Sequence, residues 1–205
     1  MLRRTLGLTL ASTALLLTPM GAALAGTHGS GDNDFSSGFV RDKAGDVKDR
    51  GLTPPTPVAK KEVDIRGFRV KATQTHRLRV TYSMAELTRA RLGDHNKKSW
   101  WTQGTLRTRH GEENFTLGYG AGGFGAVAFY GDSYPYTMCG ARAKFSPEQK
   151  EVLLVANLTK CAPDATGLTL RGKAMGLNFV KHADGSSTMR PDLIDRTRLV
   201  SVKLP

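Results

Sequence analysis

From Val63 onward the apolar residues recur at every second position. Val63 and Ile65 alternate with polar residues, and after Gly67 the phase flips to Phe68, Val70 and Ala72. A period of two marks a strand with one buried face, and a phase flip at a glycine marks a β-bulge. Gln74 to His76 reads as a turn. Leu78, Val80 and Tyr82 then supply the second strand of a hairpin. Further strands are predicted at about 100–108, 114–119, 126–130, 136–144, 151–158, 168–175 and 198–204, with Phe39-Val40 as an edge strand. Val152 to Val155 is apolar at every position, which predicts a central strand covered on both faces, with a turn over 146–149 before it. A capping box, Ser83-Met84-Ala85-Glu86, is followed by Leu87, Ala90 and Arg91 at helical spacing and predicts one or two helical turns before Gly93. The expected fold is all-β: an antiparallel β-sandwich, Ig-like or jelly-roll-like, with one short helix.

The remaining segments have other patterns. Residues 1–25 carry Arg3 and Arg4, an apolar run from Leu6 to Leu17, then Pro19, Gly21 and Ala23-Leu24-Ala25. This is the layout of a cleaved secretory signal peptide, with a run too short to span a bilayer. Arg3-Arg4-Thr5-Leu6 half-matches a twin-arginine export signal. The expectation is a secreted protein, released or held on a surface by non-covalent contacts. Residues 26–37 are small and polar and read as a disordered leader. Residues 46–61, with Pro54, Pro55 and Pro57, read as a surface loop. One sandwich domain is expected over 38–205.

Charge and cysteine content narrow the function. The chain has 30 Lys and Arg against 18 Asp and Glu. Without Arg3 and Arg4 the balance is 28 against 18, a net charge of +10. That charge draws polyanions over long range. In an oxidising compartment the pair Cys139 and Cys161 is expected to be a disulfide.

Two groups of residues are candidates for binding. Trp100-Trp101 stands between Lys97, Lys98 and Arg107, Arg109. Aromatics interleaved with cations form stacking platforms for a polyanion or single-stranded nucleic acid. Nucleic acid is not the expected partner outside a cell. The plain alternative is a solvated basic face with one exposed ring. One tryptophan should face the core and the other be partly exposed. The Gly/aromatic stretch 115–136 offers Tyr119, Phe124, Tyr130, Tyr134 and Tyr136 as stacking surfaces for sugar rings. Asp42, Asp46 and Asp64 offer hard oxygen ligands that suit calcium if loop and strand converge; otherwise they are turn and cap residues.

Catalytic signals are weaker. Gly118, Gly120 and Gly123 have the G-x-G-x-x-G spacing, but the following residues alternate like a strand, so a dinucleotide site is rejected. Asp94, His95, His110, Glu112 and Glu113 flank one predicted strand. If extended, it keeps the two histidines at opposite ends. No H-E-x-x-H or G-x-S-x-G motif occurs. The chain is therefore expected not to be an enzyme.

Asp42-x-x-Gly45-Asp46, then Asp64-Ile65, a strand, a turn and Leu78-Arg79-Val80 resembles the start of a group of uncharacterised secreted β-sandwich proteins from high-GC Gram-positive bacteria. Their second half similarly has a cysteine, a strand, a turn, an apolar strand and a second cysteine, here Cys139 to Cys161. The resemblance covers about residues 38–178. This chain departs from it at Thr159-Lys160, where a proline usually precedes the second cysteine. The resemblance implies fold and export and no chemistry, since the group has no agreed activity.

The function expected from the sequence is non-catalytic binding of an anionic or glycan polymer at the cell envelope. The alternatives are a secreted hydrolase using the Asp/Glu/His set and an extracellular protein–protein interaction module.

Overall fold

The computed structural model describes residues 33–52, 58–88, 97–120 and 125–205, which fall in the compact unit Asp32–Pro205. The alternating segments there form eleven antiparallel strands. In chain order they are β1 (Asp34–Arg41), β2 (Lys48–Asp49), β3 (Ile65–Thr73), β4 (Arg77–Met84), β5 (Lys98–Thr108) and β6 (Gly111–Tyr119), then β7 (Ala126–Tyr130), β8 (Thr137–Ser146), β9 (Glu151–Asn157), β10 (Gly167–Lys181) and β11 (Ser187–Lys203). They make one sheet in the order β1-β3-β4-β9-β8-β7-β6-β5-β10-β11-β2. Helix among the described residues consists of 3-10 turns at Lys60–Glu62 and Pro147–Gln149 and the 3-10 residue Lys97.

The sheet becomes two packed leaves at β8. Residues 137–139 pair with β7 and residues 140–146 with β9, so the strand passes from one leaf to the other and the sheet curls into a half-barrel. Phe68, Val70, Tyr82 and Leu154 of one leaf share the core with Trp100, Leu117, Leu170 and Val200 of the other. The leaves approach closely at Gly172, where an added Cβ would lie 2.6 Å from the Phe68 ring and 2.8 Å from Tyr82. The Tyr82 hydroxyl donates to the Trp101 carbonyl at 2.8 Å and shares a 2.7 Å bond with Thr102 Oγ1. Burial holds its proton well above the usual tyrosine range. The two ends of the sheet meet through side chains: Asp195 Oδ2 accepts the Ile65 N–H at 2.7 Å, and Ser36 Oγ accepts the Lys203 N–H at 3.1 Å.

The all-β expectation is met, and the Gly67 bulge falls where the phase flip placed it, as a register shift between Ile65 and Gly67. The expected helix is corrected at its start. Ser83 and Met84 end β4, paired to Gly67 and Ile65, and ladder bonds of the strand outweigh the cap pattern. Glu86 pairs with Lys61 instead of capping, and residues 89–96 lie outside the described residues. The leader boundary also shifts, because β1 begins at Asp34. Its inward positions are Ser36, Gly38 and Val40, while Phe35 and Phe39 face outward. Small residues are needed inside, since a Cβ on Gly38 would lie 2.4 Å from Val200. The segment read as a surface loop holds β2, paired to Leu193 and Ile194, and buries Val58; its three prolines lie outside the described residues. The last hairpin is far longer than expected, because Asn178, Asp192, Asp195 and Thr197 occupy buried positions where the pattern calls for apolar residues. In β9, Val152, Leu154, Val155 and Ala156 are buried and Leu153 is half-buried.

Candidate polymer-binding face

The outward side chains of the second leaf form rows across its strands, set by the register. One row runs Arg196 (β11), Lys173 (β10), Trp101 (β5), Gly118 (β6) and Val127 (β7). The next runs Leu199, Arg171, Gln103, Thr116, Phe129 and Met138, crossing from β11 to β8. At ~4.8 Å per strand this second row spans roughly 24 Å. A third row carries Ser201, Thr169 and Thr105, with Thr169 and Ser201 hydroxyls bonded at 2.9 Å. The face is thus cationic at the β11–β10 end, aromatic and apolar toward β7 and β8, and lined with hydroxyls along one side.

The aromatic end is built on glycines. Trp101 lies flat over β6, and a Cβ on Gly118 would come 2.2 Å from its ring carbon Cε3. Glycine is required there because the ring occupies the space of a side chain. Phe129 packs on Tyr136 at 5.0 Å between centroids, and Tyr136 on Tyr134 at 6.4 Å. Tyr134 is 86% exposed, and Tyr136 and Met138 are also exposed.

Around Arg171, Lys173 and Arg196 a depression of about 400 Å³ is completed by Gln103, Gly104 and Leu199. Burial, then the charges of Arg196 and Arg50, hold the Lys173 ammonium below the usual lysine range. None of these four cations makes an ion pair among the described residues. A neighbouring cleft lines Arg50, Arg171 and Arg196 with Asp46, Asp49 and Asp195. The Asp49 carboxylate is taken by Lys60 at 3.0 Å and by the Gly51 N–H at 2.9 Å. Asp195 turns inward to the Ile65 and Arg196 amides.

The residues singled out in the sequence are divided by this geometry. Trp101 belongs to the face and Trp100 is fully buried, as the alternation requires. Tyr134 and Tyr136 belong to it as well, while Phe124 lies outside the described residues. Lys98 does not belong: it is buried and paired with Glu62, which also accepts from Thr88 at 2.6 Å. Tyr119 faces inward against Trp100 and Phe145, and the Tyr130 hydroxyl donates to the Cys161 carbonyl. These two rings complete the core edge rather than offer a stacking surface. Arg107 is paired with Glu112 at 2.7 Å on the hydroxyl side of the face; Lys97 and Arg109 are exposed. The sequence reading missed Phe129, Met138, Arg171, Lys173, Arg196 and Leu199. The polar phase of 168–175 marked Arg171 and Lys173 as outward, but only pairing shows that β5 and its tryptophan lie beside them.

The aspartates converge with one exchange. Asp42, Asp46 and Asp195 bring carboxylate oxygens within 4.8 Å of one another and are the groups that could hold a hard cation. Asp64 is not among them: it accepts the Gly45 N–H at 3.1 and 3.2 Å and pairs with Arg66 at 2.9 Å. Burial, reinforced by Asp42 and Asp46, pushes the Asp195 carboxyl up to about 6, against the two amide bonds it accepts. Burial likewise raises Asp42.

The hydrolase set is not assembled among the described residues. His110 is exposed and 3.9 Å from Asp164, Glu112 is held by Arg107, and Asp94 and His95 lie outside the described residues. Cys139 and Cys161 form the expected disulfide, tying β8 to the turn after β9. No helix among the described residues is long and apolar enough to cross a membrane. Comparison with protein families, curated proteins and solved structures gave no match.

Proposed function

We propose that the chain is a secreted, non-catalytic β-protein that binds an anionic or glycan polymer at the cell envelope through the outer face of β11, β10, β5, β6, β7 and β8. The observation that carries this reading is the adjacency, in two register rows, of Trp101 and Phe129, with Tyr136 packed on Phe129, to three cations that have no acidic partner among the described residues. Flat rings stack on sugars, and clustered cations attract a charged backbone. The disulfide and the signal-peptide pattern of residues 1–25 support export.

Co-sedimentation with isolated cell-wall material across a salt series tests the reading. Retention should fall as salt screens the cationic end and should be weakened by Trp101→Ala at every salt concentration. No retention at low salt, or retention indifferent to Trp101→Ala, removes this face from consideration.

A second reading, a protein partner, is favoured by β1. This edge strand exposes Phe35 and Phe39, with Arg69 stacked 5.2 Å over Phe39. Phe39→Ser that abolishes capture of an envelope protein while leaving polymer retention intact would support it.

A further inference from the structure

The polymer-binding reading leaves open what anionic group the cationic end accepts; the following rests on that reading and names the group. We propose that Arg171, Lys173 and Arg196, with Arg50 alongside, form a subsite for a phosphate group carried by the polymer.

Three cations come from two neighbouring strands, β10 and β11, onto one depression, and Arg50 lines the adjoining cleft. Lys173 is the register partner of both Arg196 and Trp101, and Arg171 follows on the same face beside Gln103. A carboxylate presents two oxygens in one plane, and the fork of a single arginine engages both. A tetrahedral phosphate has oxygens directed several ways and accepts from several donors at once. Two planar guanidinium forks, an ammonium and the Gln103 amide fit that demand. Of the acids in the adjoining cleft, Asp49 is engaged by Lys60, Asp195 is turned into the sheet, and Asp46 makes no ion pair with these cations among the described residues. Burial first, and then the Arg196 and Arg50 charges, lower the Lys173 proton affinity, which agrees with the crowding of cations that the register shows. Trp101, one strand over, is placed to stack on the sugar next to the phosphate. The recognised unit is therefore a phosphate adjoining a sugar ring.

The test compares the purified protein with two polyanions at equal charge concentration and ionic strength, polyphosphate and polygalacturonate, and with inorganic phosphate followed by NMR. Polyphosphate should bind about tenfold more tightly than polygalacturonate, the effect of one extra charged hydrogen bond. Inorganic phosphate should shift the side-chain resonances of Arg171, Lys173 and Arg196. Arg171→Lys keeps the charge and removes the fork, so it should lower polyphosphate affinity several-fold. Arg142→Ala removes an exposed cation from the other leaf and should change nothing. Equal binding of the two polyanions, equal losses from Arg171→Lys and Arg142→Ala, or phosphate shifts scattered over all surface cations would overturn the subsite. If it fails while cell-wall retention still depends on Trp101, the polymer-binding reading stands without it. If nothing binds, both fall.

Discussion

Two residues on this sheet carry consequences beyond their own contacts. Gly118 exists to seat Trp101, because a methyl group there would meet the indole at 2.2 Å. Gly118→Ala should tip the ring off the strand, change tryptophan fluorescence and leave the melting temperature nearly unaltered. Stacking on one aromatic ring is worth about 1–3 kcal/mol, so polymer retention should drop roughly tenfold. Unchanged retention would exclude Trp101 as a stacking ring. Asp195 has the opposite location, with its carboxyl inside the sheet and raised to about 6 from 3.8. The folded protein holds this proton more tightly than the unfolded chain does. Its stabilising contribution is therefore full below about pH 4 and lost as the pH rises through 6, by about 3 kcal/mol at most. Urea titrations of the wild type and Asp195→Asn should show this directly. The wild-type unfolding free energy, relative to that of the variant, should fall between pH 4 and pH 7. A rise over that range would contradict the assignment.

At the scale of elements, two ties hold segments that backbone pairing leaves loose. The turn Lys60–Glu62 is fastened to the start of β5 by the buried Glu62–Lys98 pair. Burial opposes the Glu62 charge, yet the bonds from Lys98 and Thr88, the Lys98 charge and the Ala59 N–H outweigh it and keep the carboxyl below its usual range. Lys98→Met leaves Glu62 charged and unpaired and should cost about 3 kcal/mol in urea unfolding. Adding Glu62→Leu should recover most of that loss, because an apolar pair can replace a buried ion pair. Equal instability of the single and double variants would mean that the pair does more than satisfy its own charges. The Cys139–Cys161 bridge spans 22 residues and ties β8, where the sheet changes leaf, to the end of β9. Its reduction should lower stability by about 3 kcal/mol in the chain-entropy account, measured by unfolding with and without reductant.

Over the whole molecule, the excess of twelve positive charges and the clustering of three cations in one depression make different predictions. Diffuse charge is screened alike everywhere, whereas a built subsite retains part of its affinity because its partners are partly desolvated. Retention of a phosphorylated polymer should fall steeply with salt and then level off. Retention of a phosphate-free polyanion should fall to background.

The same contrast separates what was legible in the sequence from what was not. Wherever the inward residues were apolar, as in Phe68-Val70-Ala72 and Leu78-Val80-Tyr82, the period of two located the strand and even its bulge. Where they were small or polar, as in β1 and in β11 between Pro191 and Thr197, the pattern vanished, because close approach at Gly38 and hydrogen bonds at Asp195 replaced apolar contact. The sequence by itself determined an all-β chain, one buried and one outward tryptophan in the pair Trp100-Trp101, the bonded cysteines and a strongly basic balance. All of these follow from local alternation, residue type and composition. Only the tertiary structure decided that Arg171, Lys173 and Arg196 lie beside Trp101, that Lys98 is consumed by Glu62, and that Asp195 joins Asp42 and Asp46 in place of Asp64. Each of these joins residues far apart in the chain, through strand pairing or packing between segments, and alternation within one strand carries no information about its neighbour.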